Sequence, residues 1–365
     1  IQETGKRPTA GLDRNLSYLS LVEVLFGYPI DGVILTTGCD KTTPAALMAA
    51  ATVNIPAIVL SGGPMLDGNY KGKKVGSGTV VWEARKLHAK GEITYDEFMD
   101  MVAASAPSVG HCNTMGTASS MNSIAEALGM SLTGCAVIPA PYRERSQISF
   151  ETGKRIVDMV HEDLTPSKIM TKEAFENAIL VASAIGASSN CPPHLTAIAR
   201  HMGLELDIEN WQTLGHDIPL LVNCQPAGEH LMERFHSAGG IPAIMQELLK
   251  NNKLHKNVLT VSGKTVEENL KIKIDVDTDV IKSFANPLVE NAGYIVMRSN
   301  FFNSAVMKTS VISEEFRKRY LSDPKNKNVF EANAVIFEGP EDYHARINDE
   351  KLNIDENSIL MIRGC

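Results

Sequence analysis

Apolar positions recur along the chain at two spacings, and the uncharged stretch from Thr42 to Leu66 holds both. Val33-Ile34-Leu35 and Ala57-Ile58-Val59-Leu60 are apolar runs of buried-strand length. Between them, Ala45 to Ala51 is an unbroken series of helix formers preceded by Thr42-Thr43-Pro44. A capping hydroxyl followed by a proline in the first turn predicts a helix start there. The stretch is long enough to cross a bilayer. It is interrupted, however, by Asn54-Ile55-Pro56 and Gly62-Gly63-Pro64, so it predicts a β-α-β unit buried on both faces and no span.

From residue 16 to about 285 the same alternation continues, which predicts an α/β fold with a largely parallel sheet covered by helices. Val137-Ile138 and Leu220-Leu221-Val222 are further strand candidates. Helices are expected at Tyr95 to Ala104, Ser120 to Leu128, Thr152 to His161, Thr171 to Ile185, His194 to Met202 and Ile241 to Leu249. After Asn286-Pro287 the pattern changes to short β-like runs: Gly293 to Met297, Ala305 to Met307, Ala334 to Phe337 and Ile359 to Ile362. Two domains follow: residues 1–286 as an α/β/α domain, and 287–365 as the beginning of a β-rich, barrel-like C-terminal domain without its closing element. No internal repeat or low-complexity segment interrupts them.

The chain has 365 residues, 44% hydrophobic and 21% charged, enough for a substantial core in each domain. Its net charge of −8, with no basic stripe, speaks against a nucleic-acid partner. Six cysteines, at 39, 112, 135, 191, 224 and 365, are too sparse for a secreted disulfide framework, and none forms a C-x-x-C pair. Reduced thiols in the cytoplasm are expected. The first residues, Ile1 to Arg7, have neither an initiator Met nor an apolar segment, and read as a cut inside a longer chain.

Cys39-Asp40-Lys41 brings a thiol, a carboxylate and an amine to the exit of the first strand, where open α/β sheets place their ligands. The following helix start would favour the ionised thiol and carboxylate. Two readings of the triplet stand side by side: a metal-holding turn, or a small buried thiol beside a cap and a solvated charge. Ser108-Val109-Gly110-His111-Cys112-Asn113 predicts a turn that sets Cys112 at a second helix amino end. Two thiols in like settings favour shared metal binding, yet fall short of the four ligands of a closed site. Three other segments are weaker. Val261-Ser262-Gly263-Lys264-Thr265 ends like a P-loop but lacks that motif's first glycine, Gly76-Ser77-Gly78 is a lone glycine pair, and Asn190 and His194 suit a turn and a helix as well as a substrate.

Taken together, Gly38-Cys39-Asp40-Lys41-Thr42-Thr43-Pro44, Gly62-Gly63-Pro64-Met65 and His111-Cys112-Asn113-Thr114-Met115-Gly116-Thr117-Ala118 closely resemble the dihydroxy-acid and sugar-acid dehydratase family. The likeness continues through Pro139 to Arg145, Ser188 to His194 and Phe337 to His344, and looks like the pentonate branch, typified by xylonate and arabinonate dehydratases. The resemblance implies a lyase that converts a small-molecule aldonate, D-xylonate first and L-arabinonate or a related acid second, to its 2-keto-3-deoxy acid. Dihydroxy-acid dehydration in branched-chain amino-acid synthesis is the alternative within the family, and an iron–sulfur redox or sensor protein the alternative from another class. The resemblance also implies a 2Fe–2S (or 4Fe–4S) cluster on three cysteines, of which Cys39 and Cys112 match two. Mg²⁺ would be held by Glu3, Asp40 and a carbamylated Lys41, with His111 and Asn190 as substrate contacts. The third cysteine is expected upstream, and a further Mg²⁺ carboxylate and a serine base downstream of Cys365. A homodimer or homotetramer, with no membrane association, completes the expectation.

Overall fold

In the computed structural model, residues 10–300, 303–321 and 331–364 are described. Glu3 and Cys365 lie outside them. The chain divides into two compact units, Ile1–Val311 and Ile312–Cys365.

In the first unit, helix α1 (Ala10–Gly27) precedes β1 (Val33–Thr37), which pairs in parallel with β2 (Ala57–Ser61) across helix α2 (Thr42–Val53). This is the expected β-α-β unit, and α2 is buried from Thr43 to Ala51. Its start differs in detail. Lys41 is the N-cap residue and no side chain caps the helix, while the Thr43 hydroxyl donates to the Cys39 carbonyl at 3.2 Å.

The broad parallel sheet does not form among the described residues. The strands make four separate two-stranded sheets: β1–β2, the hairpin of β3 (Gly68–Tyr70) with β4 (Lys73–Val75), and the hairpin of β5 (Tyr294–Met297) with β6 (Ala305–Lys308). The fourth, in the second unit, is a parallel pair of β7 (Asn333–Phe337) and β8 (Ser358–Ile362). They show no closed barrel. The bonds a third strand would use beside β2 are taken locally: Val59 N donates to Met130 O at 2.8 Å, and the Ser131 hydroxyl donates to Val59 O at 2.9 Å. Val137 and Ile138 therefore lie in turns. Leu220 and Val222 make only isolated antiparallel bridges, to Val289 and Ile281.

Helices carry most of the core. All six expected ones are present, with Tyr95–Ala104 matching to the residue. Helix α5 (Thr117–Ala127) is buried from Ala118 onward, which its small side chains permit. A second, smaller apolar cluster, Val75, Val80, Ala84 and Met101, joins the β3–β4 hairpin to helices α3 (Val80–Ala89) and α4 (Tyr95–Ala104). Among the described residues no helix is long and apolar enough to cross a membrane.

One buried carboxyl braces the loop after α5. Glu126 accepts from Gly134 N at 2.7 Å and Ala136 N at 2.8 Å. Arg145, on helix α6 (Arg143–His161), donates to Ser61 O at 2.6 Å and to Ile138 O, tying the same loop to the end of β2. Burial pushes the Glu126 carboxyl up from 4.5 to about 7, against the pull of the two amides and Arg145. The folded state thus holds this proton more tightly than the unfolded chain, so the contribution is full below pH 4.5 and is lost as pH rises toward 7. In chemical denaturation, the stability advantage over a Glu126→Gln variant is expected to shrink by up to about 3 kcal/mol between those limits. A gap that stays constant with pH would refute this.

Candidate functional site

A cavity of about 1470 Å³ opens where β1 and β2 end, bounded by Thr37 and Gly38 on one side and Gly62 and Gly63 on the other. Small-ligand pockets need only about 300–1,000 Å³. The expected residues Cys39, Asp40, Lys41, His111, Cys112 and Asn190 all line it.

The first sulfur is placed by the turn from β1 into α2. The Cys39 carbonyl accepts from both Thr43 N and the Thr43 hydroxyl at 3.2 Å, which anchors the residue to the first helical turn. Its thiol donates to Asp40 Oδ1 at 3.2 Å, and Lys41 Nζ reaches Asp40 Oδ2 at 2.6 Å. This ion pair is largely withdrawn from solvent, the Lys41 side chain being 8% exposed.

The second sulfur is brought in by a close backbone approach. Gly110 has φ 131°, and a Cβ there would lie 2.5 Å from Met65 N and 2.6 Å from the Pro64 carbonyl carbon. Without one, His111 N donates to Gly63 O at 3.0 Å and Met65 N to His111 O at 2.9 Å, seating the loop alongside the end of β2. Cys112 is not at a helix amino end as expected, because α5 is capped by Gly116, four residues on. Hydroxyls surround its sulfur instead: Ser77 Oγ at 3.0 Å and Thr114 Oγ1 at 3.1 Å. Asn113 fixes this arrangement, its Oδ1 accepting from Ser77 N at 2.9 Å and its Nδ2 donating to Leu66 O at 2.8 Å.

His111 sits between the two cysteine turns, its ring beside Gly38. Nδ1 lies 3.0 Å from Cys112 O; a carbonyl only accepts, so Nδ1 carries the proton and Nε2 is an acceptor. Nε2 is buried and has no partner among the described residues. Burial pushes the ring's pKa down to about 4, the Cys112 carbonyl opposing and the charge of Arg145 adding, so the ring is neutral at pH 7. Asn190 Nδ2 donates to Thr117 Oγ1 at 3.0 Å on the far wall. His194 is buried with Nδ1 3.1 Å from Arg14 Nη1, and burial first, then Arg14 and Lys41, pushes it down to about 4.

Among the described residues no three His, Cys, Asp or Glu side chains converge as a metal cage. The donors suit the implied groups in part: two unoxidised thiols of the soft type that iron–sulfur clusters use, and one carboxylate of the hard type Mg²⁺ takes. Cys135, Cys191 and Cys224 are buried elsewhere, their thiols pushed up by burial. Sequence reasoning weighed Gly76-Ser77-Gly78 only as a weak glycine pair and passed over Trp82, whereas Gly78 and Trp82 line the cavity and Ser77 reaches the Cys112 sulfur. The small residues of Gly76-Ser77-Gly78 were the available signal. The segment Val261 to Thr265 is a turn, closed by a bridge between Leu259 and Thr265.

Residues 2–269 match the family described as dihydroxy-acid/6-phosphogluconate dehydratase, N-terminal, and residues 279–365 match its C-terminal counterpart. A D-xylonate dehydratase of Caulobacter vibrioides is 61% identical over 364 residues, covering 100% of this chain and 61% of that protein. An L-arabinonate dehydratase of Rhizobium leguminosarum is 45% identical, covering 98% of this chain and 60% of that protein. For an L-arabonate dehydratase of Azospirillum brasilense the identity is 43%, with 100% and 61% covered. The chain thus spans about three fifths of the length of these relatives. With both family segments matched in order across nearly its whole length, this chain belongs to the dihydroxy-acid/6-phosphogluconate dehydratase family.

Proposed function

We propose that the protein dehydrates a sugar acid, D-xylonate in preference to L-arabinonate, to the 2-keto-3-deoxy acid. The observation that carries this reading is the meeting of Cys39 and Cys112 with Asp40 and Lys41 on one cavity, although the two cysteines are 73 residues apart in sequence. Similarity to a D-xylonate dehydratase at 61% identity, against 45% to an L-arabinonate dehydratase, supports the order of substrates. Residues 287–365 are read as the start of a barrel-like domain, and the whole protein as a cytoplasmic homodimer or homotetramer.

Elimination of water from a 2,3-dihydroxy acid removes a weakly acidic C2 proton and expels hydroxide from C3. An iron–sulfur cluster held by Cys39, Cys112 and a third cysteine would supply a Lewis acid for the C3 hydroxyl, and Mg²⁺ would hold the carboxylate and C2 hydroxyl. Asp40 and Lys41 serve the Mg²⁺ side, with Glu3 assigned there by resemblance. As an ammonium Lys41 neutralises Asp40; carbamylation converts it to an anionic oxygen donor, and two adjacent anions then call for a cation. Neutral His111 on the cavity wall and the Asn190 amide are assigned to the hydroxyls of the acid. Trp82, 69% exposed on the cavity wall, gives that wall an apolar face.

The test is direct. The natural full-length protein, purified without oxygen, is expected to show iron–sulfur absorbance and to form 2-keto-3-deoxy acid from D-xylonate faster than from L-arabinonate, with 2,3-dihydroxyisovalerate a poor substrate. If no aldonate yields product, or if iron–sulfur absorbance is lacking, the reading is wrong.

A further inference from the structure

We propose that Ser77 and Thr114 are the hydrogen-bond donors that tune the sulfur of Cys112, and through it set how readily the bound iron–sulfur group accepts an electron. The inference rests on the reading of the site given above.

Ser77 Oγ stands 3.0 Å and Thr114 Oγ1 3.1 Å from Cys112 Sγ. Ser77 has one hydroxyl proton and two acceptors within reach, Cys112 Sγ and, at 3.1 Å, Asn113 Oδ1. Asn113 Oδ1 accepts from Ser77 N at 2.9 Å, so the hydroxyl proton can turn to the sulfur without leaving that oxygen unpaired. A metal-bound sulfur carries no proton of its own, so both hydroxyls donate to it. Gly78 makes the cradle possible. Its φ is not in the left-handed region, yet a Cβ would stand 3.2 Å from Cys112 Sγ and 2.5 Å from Thr114 Oγ1. Space, not backbone freedom, is therefore what that glycine provides. Cys39 has the opposite neighbour, the Asp40 carboxylate at 3.2 Å. One sulfur faces two O–H donors and the other an anion, so the stabilising field for added charge lies on the Cys112 side. Hydrogen bonds to ligand sulfurs favour the more electron-rich, reduced form of a cluster.

Ser77→Ala and Thr114→Val in the full-length holoprotein test this by redox titration of the cluster's visible absorbance. Each variant is expected to disfavour reduction about tenfold, about 59 mV for a one-electron couple, and Ser77→Thr, which keeps the hydroxyl, to retain the natural potential. Unchanged potentials in both variants, with the absorbance intact, overturn the inference and leave the dehydratase reading standing. Loss of the cluster from both variants with an unaltered circular dichroism spectrum makes the two residues structural and also overturns it. A natural protein without cluster absorbance overturns both.

Discussion

Lys41→Met in the full-length protein is expected to lower aldonate dehydration by about a thousandfold or more while the iron–sulfur absorbance remains. Methionine fills much of the same volume but brings neither the amine that can be carbamylated nor a charge to set against Asp40. The loss is expected on the side assigned to Mg²⁺, since Lys41 Nζ is bonded to Asp40 Oδ2 while the Cys39 backbone is held by Thr43 of α2. A redox or sensor protein would keep its function in this variant. Turnover within about tenfold of the natural rate would remove Lys41 from the machinery. Added bicarbonate is expected to sustain the natural enzyme and to do nothing for the variant.

Gly110→Ala is expected to destabilise the fold by about 3 kcal/mol or more, through a strained positive φ and an unavoidable overlap. The new methyl group would sit 2.5 Å from Met65 N and 2.6 Å from the Pro64 carbonyl carbon, both backbone atoms that cannot swing aside. To relieve that overlap the loop must leave Gly63 and Met65, carrying His111 and Cys112 with it. Denaturant unfolding should move to lower concentration, and thiol labelling of Cys112 should quicken. An unshifted unfolding midpoint would mean that the close approach is dispensable.

The local grammar of the chain was legible wherever the signal and its cause lie within a few residues. The β-α-β unit is bounded by its own prolines and glycines. Tyr95–Ala104 begins where Thr94 and Glu97 form a reciprocal cap. Helix α1 was not legible, because Leu12, Leu16, Leu19 and Phe26 are exposed in the structure and blur the apolar face that marks an amphipathic helix. The sheet was over-read for the opposite reason. Leu220-Leu221-Val222 is buried as a strand would be, but Leu221 and Val222 join a helix-dominated core, and burial alone does not say what covers a segment. At the site, Cys39, Asp40, Lys41, His111, Cys112 and Asn190 line one cavity. The hydroxyl surroundings of Cys112 could not be read. Ser77 lies 35 residues upstream, and the two segments meet only in the fold, where Ser77 bonds both Cys112 and Asn113.

The separation of the two cysteine turns has a consequence in time. A ribosome adds about 5–20 residues per second, so the 73 residues between Cys39 and Cys112 take about 4 to 15 s to appear. The pairing of β1 with β2 lies within residues 33–61 and can begin before the second sulfur exists, while the bonds from Met130 and Ser131 to Val59 wait until after it. Whatever bridges the two sulfurs can do so only once the Gly110 loop has carried the second one to the end of β2, beside the first.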